Sequence, residues 1–514
     1  MAAMCGTILT EQQAAARDGV TTSRALWFAL AVTAIMTVTR LSGTVDSDVA
    51  WQLWIAGRLH AGARLYRDII EVNPPLWFWM ALPIDRVADW LHVRIEAVLA
   101  VAMGCYAAVS LAATDRFLTS LAPRRRTMLL AFAALALLGI PWVHLGQREQ
   151  IVLIGTLPYA ALIAARRQRL PVSTGLALLI GIIAAAGFAL KHYFLIVPGL
   201  LELWLISGQG RAWSWRRPEV MALVGFGLLY AAVFLLLARD FFTVVVPLVQ
   251  LSYGLLGAPS VLHLFGPFAV AGLILLCVLG GHVKALRAEA PLASALFVAS
   301  IAFAGIYFIQ AKGWVYHSIP LLGCTSLAIA ALLAESDAPM RFLRLPAPAF
   351  LALPLFLTAE EKLHPSLPSP DLNGAIAGIR PGESVGFLAV ETAVPWSVTL
   401  QHKFRNPWRY MGHWMLGAIV RNEQQGNPDP RLTALGRQIV SETVQDFACA
   451  PPTRIIVSRP QPGQAGYDIM TFFMRDPRFV EMLSHYRVRS RTSFETYERV
   501  SSLAPPADSC RHGV

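Results

Sequence analysis

The 514-residue chain is 55% hydrophobic and 15% charged, with a mean hydropathy of +0.52; ordinary soluble proteins are about 25% charged. This balance excludes a disordered chain, a coiled coil and a disulfide-rich secreted scaffold, and the long apolar blocks make the chain a polytopic membrane protein. The net charge of +11 comes from arginines clustered between those blocks, the pattern of loops kept on the cytoplasmic side and not of a nucleic-acid binder.

Residues 1–24 are polar, and Arg17 and Arg24 before the first apolar run favour a cytoplasmic N terminus. No small-residue cleavage site follows that run, so it reads as a retained anchor. Spans are predicted over 25–41, 94–118, 127–143, 149–165, 172–190, 192–208, 218–238, 263–281, 291–311, 315–334 and 343–358. The loops assigned inside hold Arg124-Arg125-Arg126, Arg166-Arg167-Gln168-Arg169, Arg211 with Arg216-Arg217, Lys284 with Arg287, and Arg341 with Arg344. All basic clusters thus fall on one side, and eleven spans leave the C-terminal tail outside. Residues 74–91 and 241–256 are apolar but interrupted or flanked by charge, and read as interfacial helices on the outer face.

Charge density nearly doubles near residue 360. The expected organisation is a cytoplasmic segment (1–24), an all-α polytopic membrane domain (25–359) with its first outer loop at 42–93, and a small extracytoplasmic α/β domain (360–514). In the tail, 384–390 and 453–458 read as buried strands, 486–500 as a strand pair, and 408–421 and 429–441 as helices. It has no Walker loop, dinucleotide fingerprint or hydrolase elbow, and reads as a lid or docking domain. Cys449 and Cys510 are its only cysteines and could pair if the tail faces an oxidising compartment.

This topology gathers Asp46, Asp48, Glu71, Asn73, His144, Arg148, Glu149, Lys191, Lys312 and His317 on the outer face. Ionisable residues at membrane depth are costly and usually line a cavity or pathway. Each has a structural reading too. Asp48 can cap the helix starting near Val49, Arg148 and Glu149 can be a neighbour pair, Lys191 can snorkel, and Lys312 with His317 can anchor at the interface. Trp314 and Tyr316 read as aromatic-belt residues, and Arg239-Asp240 as an interfacial ion pair.

Four motifs in order carry a family resemblance. They are Asp46-Ser47-Asp48 with Gly62-Ala63-Arg64-Leu65-Tyr66-Arg67-Asp68 and Asn73-Pro74-Pro75-Leu76; His144-Leu145-Gly146-Gln147-Arg148-Glu149; Gly187-Phe188-Ala189-Leu190-Lys191; and Lys312-Gly313-Trp314-Val315-Tyr316-His317. Over residues 25–358 the chain resembles the GT-C membrane glycosyltransferases, nearest the protein O-mannosyltransferase and lipid A aminoarabinose transferase group. It departs at Asn73, where that family often has His or Lys, and at Glu149, where it often has Asp.

The resemblance implies a sugar donor carried on polyprenyl phosphate and an envelope acceptor (lipid, polysaccharide or protein). Transfer would take place at the outer face of the inner membrane, with the tail in the periplasm. Arg148, Lys191, Lys312 and His317 would hold the donor phosphate, and Glu71, Asn73 and Glu149 would position substrate. Asp46 or Asp48 would be the base, Asp46 first because Asp48 has the competing capping role. Direct attack would invert the anomeric centre. No cofactor is implied, and a divalent cation on Asp46 and Asp48 stays open. Two other classes fit the composition: a transporter or flippase of a lipid-linked glycan, and a non-enzymatic envelope assembly protein.

Overall fold

The computed structural model describes residues 23–253, 261–336, 352, 369–390, 392–459, 468–501 and 510. The first part is helical: α1 Arg24–Arg40, α2 Ser47–His60, α3 Leu76–Leu91, α4 Ile95–Asp115, α5 Pro123–Gly139, α6 Arg148–Arg167 and α7 Thr174–Phe188. It continues with α8 Ile196–Gln209, α9 Pro218–Leu237, α10 Val246–Ser252, α11 Pro267–Gly281, α12 Val283–Glu289, α13 Pro291–Gln310 and α14 Val315–Glu335. Helices occupy ten of the eleven predicted spans. The eleventh, 343–358, lies outside the described residues apart from Ala352. Five described segments are long and apolar enough to cross a bilayer: Ile95–Asp115, His192–Ala212, Pro218–Leu237, Pro291–Gln310 and Val315–Glu335. About twenty residues at 1.5 Å each match a hydrocarbon core of about 30 Å.

Burial sorts these helices. α6 and α14 are buried along nearly their whole length and form the centre. α9 buries only Glu219, and its Leu228 and Leu237 are 67% and 75% exposed. An apolar surface of this extent would aggregate in water and suits contact with lipid chains. The stretches at 74–91 and 241–256 are helical where described, as α3 and as Phe241–Val245 running into α10. The Arg239-Asp240 pair does not form. Asp240 instead meets Arg67 of the segment between α2 and α3 at 2.6 Å, because the fold brings these two segments together.

The tail holds α15 Pro370–Ile376, β1 Val385–Leu388, α16 Ala393–Gln401, α17 Leu416–Glu423, α18 Pro430–Cys449 and β2 Arg454–Ser458. α19 Ile469–Phe473, α20 Pro477–Leu483, β3 Tyr486–Arg491 and β4 Phe494–Arg499 complete it. The sheet order is β1-β2-β4-β3, with β1 parallel to β2 and the other pairs antiparallel. All the predicted strands form. The helix expected at 408–421 starts only at Leu416, because the stretch before it is drawn out to the first outer loop: the Ile70 N–H donates to the Arg409 carbonyl at 2.6 Å. Cys449 and Cys510 are disulfide-bonded. α16 packs on α2, where the Trp396 ring meets those of Trp51 and Trp54 at 4.3 and 4.9 Å.

Candidate active site

Four helix starts or turns build the site. α2 begins after Asp46, whose carboxylate accepts the Val49 N–H at 2.9 Å. Asp46, and not Asp48, is therefore the cap, which reverses the sequence expectation. Asp46 is also tied to the segment before α6. Its N–H donates to the Val143 carbonyl at 2.9 Å, and its carboxylate meets His144 Nδ1 at 2.6 Å and Gln147 Nε2 at 3.1 Å. α6 starts after Gly146, at φ +86°, where a Cβ would lie 2.7 Å from Leu99. Only glycine suits both constraints, and the Trp77 indole fixes the turn by donating to the Gly146 carbonyl at 2.8 Å.

With its partner in the cap, Asp48 stands in the first turn of α2, hydrogen-bonded to the Tyr316 hydroxyl and within electrostatic reach of Arg148, Asp46 and Glu71. Burial, helped by the Asp46 carboxylate, pushes its pKa up to about 6, and Arg148 opposes the shift. Glu71 accepts from the Trp51 indole and, at 2.7 and 2.6 Å, from the backbone and side-chain amides of Asn73. It therefore braces the outer loop, and the Asn73 carbonyl takes the Tyr66 hydroxyl at 2.7 Å.

The second half is cationic. The Lys191 ammonium meets Glu149 at 2.6 Å, Gln310 at 3.3 Å and His317 Nε2 at 3.4 Å. Burial lowers the Lys191 pKa, against the pull of Glu149. Arg148 is 4% exposed, and its Nε and Nη1 have no hydrogen-bond partner; Gln147 Oε1, Glu149 Oε2 and His317 Nδ1 also lack one. Buried polar atoms are rarely left so. Five of them together, two on one guanidinium, make this cluster the candidate site.

Of the predicted residues, Asp46, Asp48, Arg148, Glu149, Lys191 and His317 come together, with Glu71 and Asn73 behind them. Lys312 stands to one side, its ammonium 4.5 Å from the Tyr253 ring centre. Sequence reasoning missed Tyr316, Gln147 and Gln310. Tyr316 is buried and points at Asp48, not into an aromatic belt; its place beside His317 at the start of α14 was the available signal. Gln147 and Gln310 carry no charge and gave none.

A divalent ion fits the acidic pair poorly. Both Asp46 oxygens already take N–H donors from Val49 and Gln147, and Arg148 faces Asp48. Among the described residues no group of three His, Cys, Asp or Glu could hold a metal ion.

No family model and no curated protein matches the sequence. By structure the chain is similar to ArnT from Cupriavidus metallidurans bound to undecaprenyl phosphate, at 14% identity and a TM-score of 0.51, over 94% of this chain and 98% of that one. It is also similar to the apo state of that protein, at 14% identity and TM-score 0.46, over 93% and 98% of the two chains. A third similar structure is the Archaeoglobus fulgidus oligosaccharyltransferase in complex with Zn and sulfate, at 11% identity and TM-score 0.42, over 84% and 68%. The first likeness runs nearly end to end, so the chain has the GT-C fold that its motifs led one to expect.

Proposed function

We propose that the protein is a membrane glycosyltransferase that moves a sugar from a polyprenyl-phosphate donor to a hydroxyl of an envelope acceptor. The observation that carries this reading is the buried Arg148 guanidinium, with Nε and Nη1 unpartnered, beside the Asp46 and Asp48 carboxylates. A phosphate is the ligand a guanidinium binds best, through paired N–H donors. A solved structure of the same fold holds undecaprenyl phosphate.

In the reaction the acceptor oxygen attacks the anomeric carbon as the bond from that carbon to the phosphate oxygen breaks. The proton passes to Asp48, and the phosphate leaves with the bonding electrons. Arg148 and Lys191, fixed before the reaction starts, stabilise the charge that grows on the phosphate. Asp48 is a better base than Asp46, whose oxygens are occupied by the cap and by Gln147. Attack opposite the leaving group inverts the sugar. Glu149 and His317 hold Lys191 in place, and Glu71 and Asn73 shape the loop around the acceptor. The site residues sit at one end of the helices, which suits chemistry at a membrane surface better than passage across it.

The reading assigns this end of the helices and the tail to the periplasm, on the sequence expectation of eleven spans, the last of them (343–358) outside the described residues apart from Ala352. The Cys449–Cys510 disulfide supports that side, since disulfides persist in oxidising compartments.

Adding undecaprenyl phosphate to the detergent-purified protein should raise its thermal stability, by about 2.7 kcal/mol at a hundred times Kd, and Arg148→Ala should abolish the shift. An equal shift in wild type and variant would remove Arg148 from the phosphate site. A product with retained anomeric configuration, formed from any polyprenyl-phosphate sugar, would overturn the single-displacement mechanism.

A further inference from the structure

A polar cleft of about 430 Å³, away from the candidate site, lies between helices α2 and α3 and the tail. None of the site residues above lines it. Resting on the transferase reading, we propose that this cleft binds a saccharide, so that the acceptor is a glycan presented to the site by its sugar rings.

The argument starts from Trp54. Its indole stacks on Trp51 with centroids 4.9 Å apart and planes at 15°, and is buttressed by Trp396 of the tail at 4.9 Å. A ring held on two sides is already rigid, so binding costs little ordering entropy. The part of the Trp54 ring left between Trp51, Trp396 and Arg58 lines the cleft, and an aromatic surface suits the C–H groups of a pyranose.

The rim suits the hydroxyls. Arg58 lies over the Trp54 ring at 5.5 Å, and Arg94 pairs with Glu96 at 2.8 Å. Asp89 and Lys403 also line the cleft, one from each side, exposed and without an ion pair among the described residues. Carboxylates accept and ammonium or guanidinium groups donate, and a sugar hydroxyl does both. Because the rim carries both signs of charge, it favours a neutral polyol over a polyanion or a polycation.

The position is apt. Trp54 follows Asp48 by six residues of one helix, about 9 Å along its axis. A glycan seated on Trp54 can extend a neighbouring ring towards Asp48. The tail thereby gains a task, since it supplies one wall of the cleft and the Trp396 support.

The test is calorimetric titration of the full-length protein in detergent with maltotetraose, chitotetraose and mannotetraose, with undecaprenyl phosphate titrated in parallel. At least one tetrasaccharide should bind. Asp89→Asn combined with Lys403→Ala should weaken it at least tenfold and leave undecaprenyl phosphate binding unchanged within twofold. Trp54→Phe, which keeps an aromatic packing partner, should weaken it by less. Undecaprenyl phosphate binding with no tetrasaccharide bound would overturn the cleft and leave the transferase reading intact, as would saccharide binding indifferent to all three substitutions. Saccharide binding lost in the double variant, with no undecaprenyl phosphate bound by wild type, would support the cleft and overturn the donor.

Discussion

Helix α6 carries a buried ionic cluster at each end, about 30 Å apart, and the two differ in one respect. At its C-terminal end Arg166 pairs with Glu219 at 3.0 Å, and Arg217 reaches both Glu219 and Glu202. The Tyr159 hydroxyl and the Trp213 indole add donors to Glu202 at 3.1 and 2.8 Å. None of these four charged residues has a buried side-chain atom without a partner, whereas the cluster at the N-terminal end has five such atoms. A closed network joins α6, α8 and α9 and leaves none of its buried side-chain atoms unpartnered. An open one is stable only if something else completes it, or if function compensates the loss. Burial and charge are common to both ends, so the difference in satisfaction is what separates a strut from a site.

Substitutions can sharpen or break that contrast. The largest effect is expected at Asp48. Asp48→Asn should cut transfer by about 10²–10⁴-fold, the usual worth of a general base, in protein that melts normally. Full activity in this variant would move the base to another group. Next come the two arginines. Arg148→Gln should cost about 10²–10³-fold in turnover with a smaller loss of stability than Arg166→Gln, because Nε and Nη1 have no hydrogen-bond partner to lose. Arg166→Gln should do the reverse, lowering stability by about 3 kcal/mol by weakening the clamp on the fully buried Glu219, with turnover kept in the protein that folds. If both variants lose stability equally, the open and closed clusters are not different in kind.

Acid provides a third test. A base must be deprotonated to act, and burial raises the Asp48 pKa to about 6. Turnover should therefore rise as pH increases through about 6 and level off above it, a limb that Asp48→Asn should flatten. The smallest effect belongs to Asp46. Asp46→Asn keeps a capping side chain and should change stability by less than about 1 kcal/mol. Its loss of activity should be smaller than that of Asp48→Asn, as expected for a residue that positions α2 and His144.

Helices at ten of the predicted spans and at the two further apolar stretches, and the four strands, were legible in the residues, because each follows from local hydropathy or from alternation along the chain. The cluster was legible as a set of polar residues that the expected topology gathers on one face, but its internal contacts were not. Asp46 and Asp48 are two residues apart and chemically alike, so only the path of the chain into α2 could decide which one caps and which is free. Tyr316 has the composition of a belt residue and becomes a partner of Asp48 only because α14 is central. Asp240 chose Arg67 over its neighbour Arg239 for a similar reason: the pairing spans 173 residues.

By itself the sequence determined that the chain is a membrane protein and that a small α/β tail follows. These depend on how much apolar surface each segment must hide from water, and that is a property of short stretches. The tertiary structure decided which acid is open, which cations stay unpaired, and that the tail leans its Trp396 against the outer loop. Those outcomes depend on contacts between residues far apart in sequence, where a hydrogen bond made or missing deep in low dielectric outweighs any local preference.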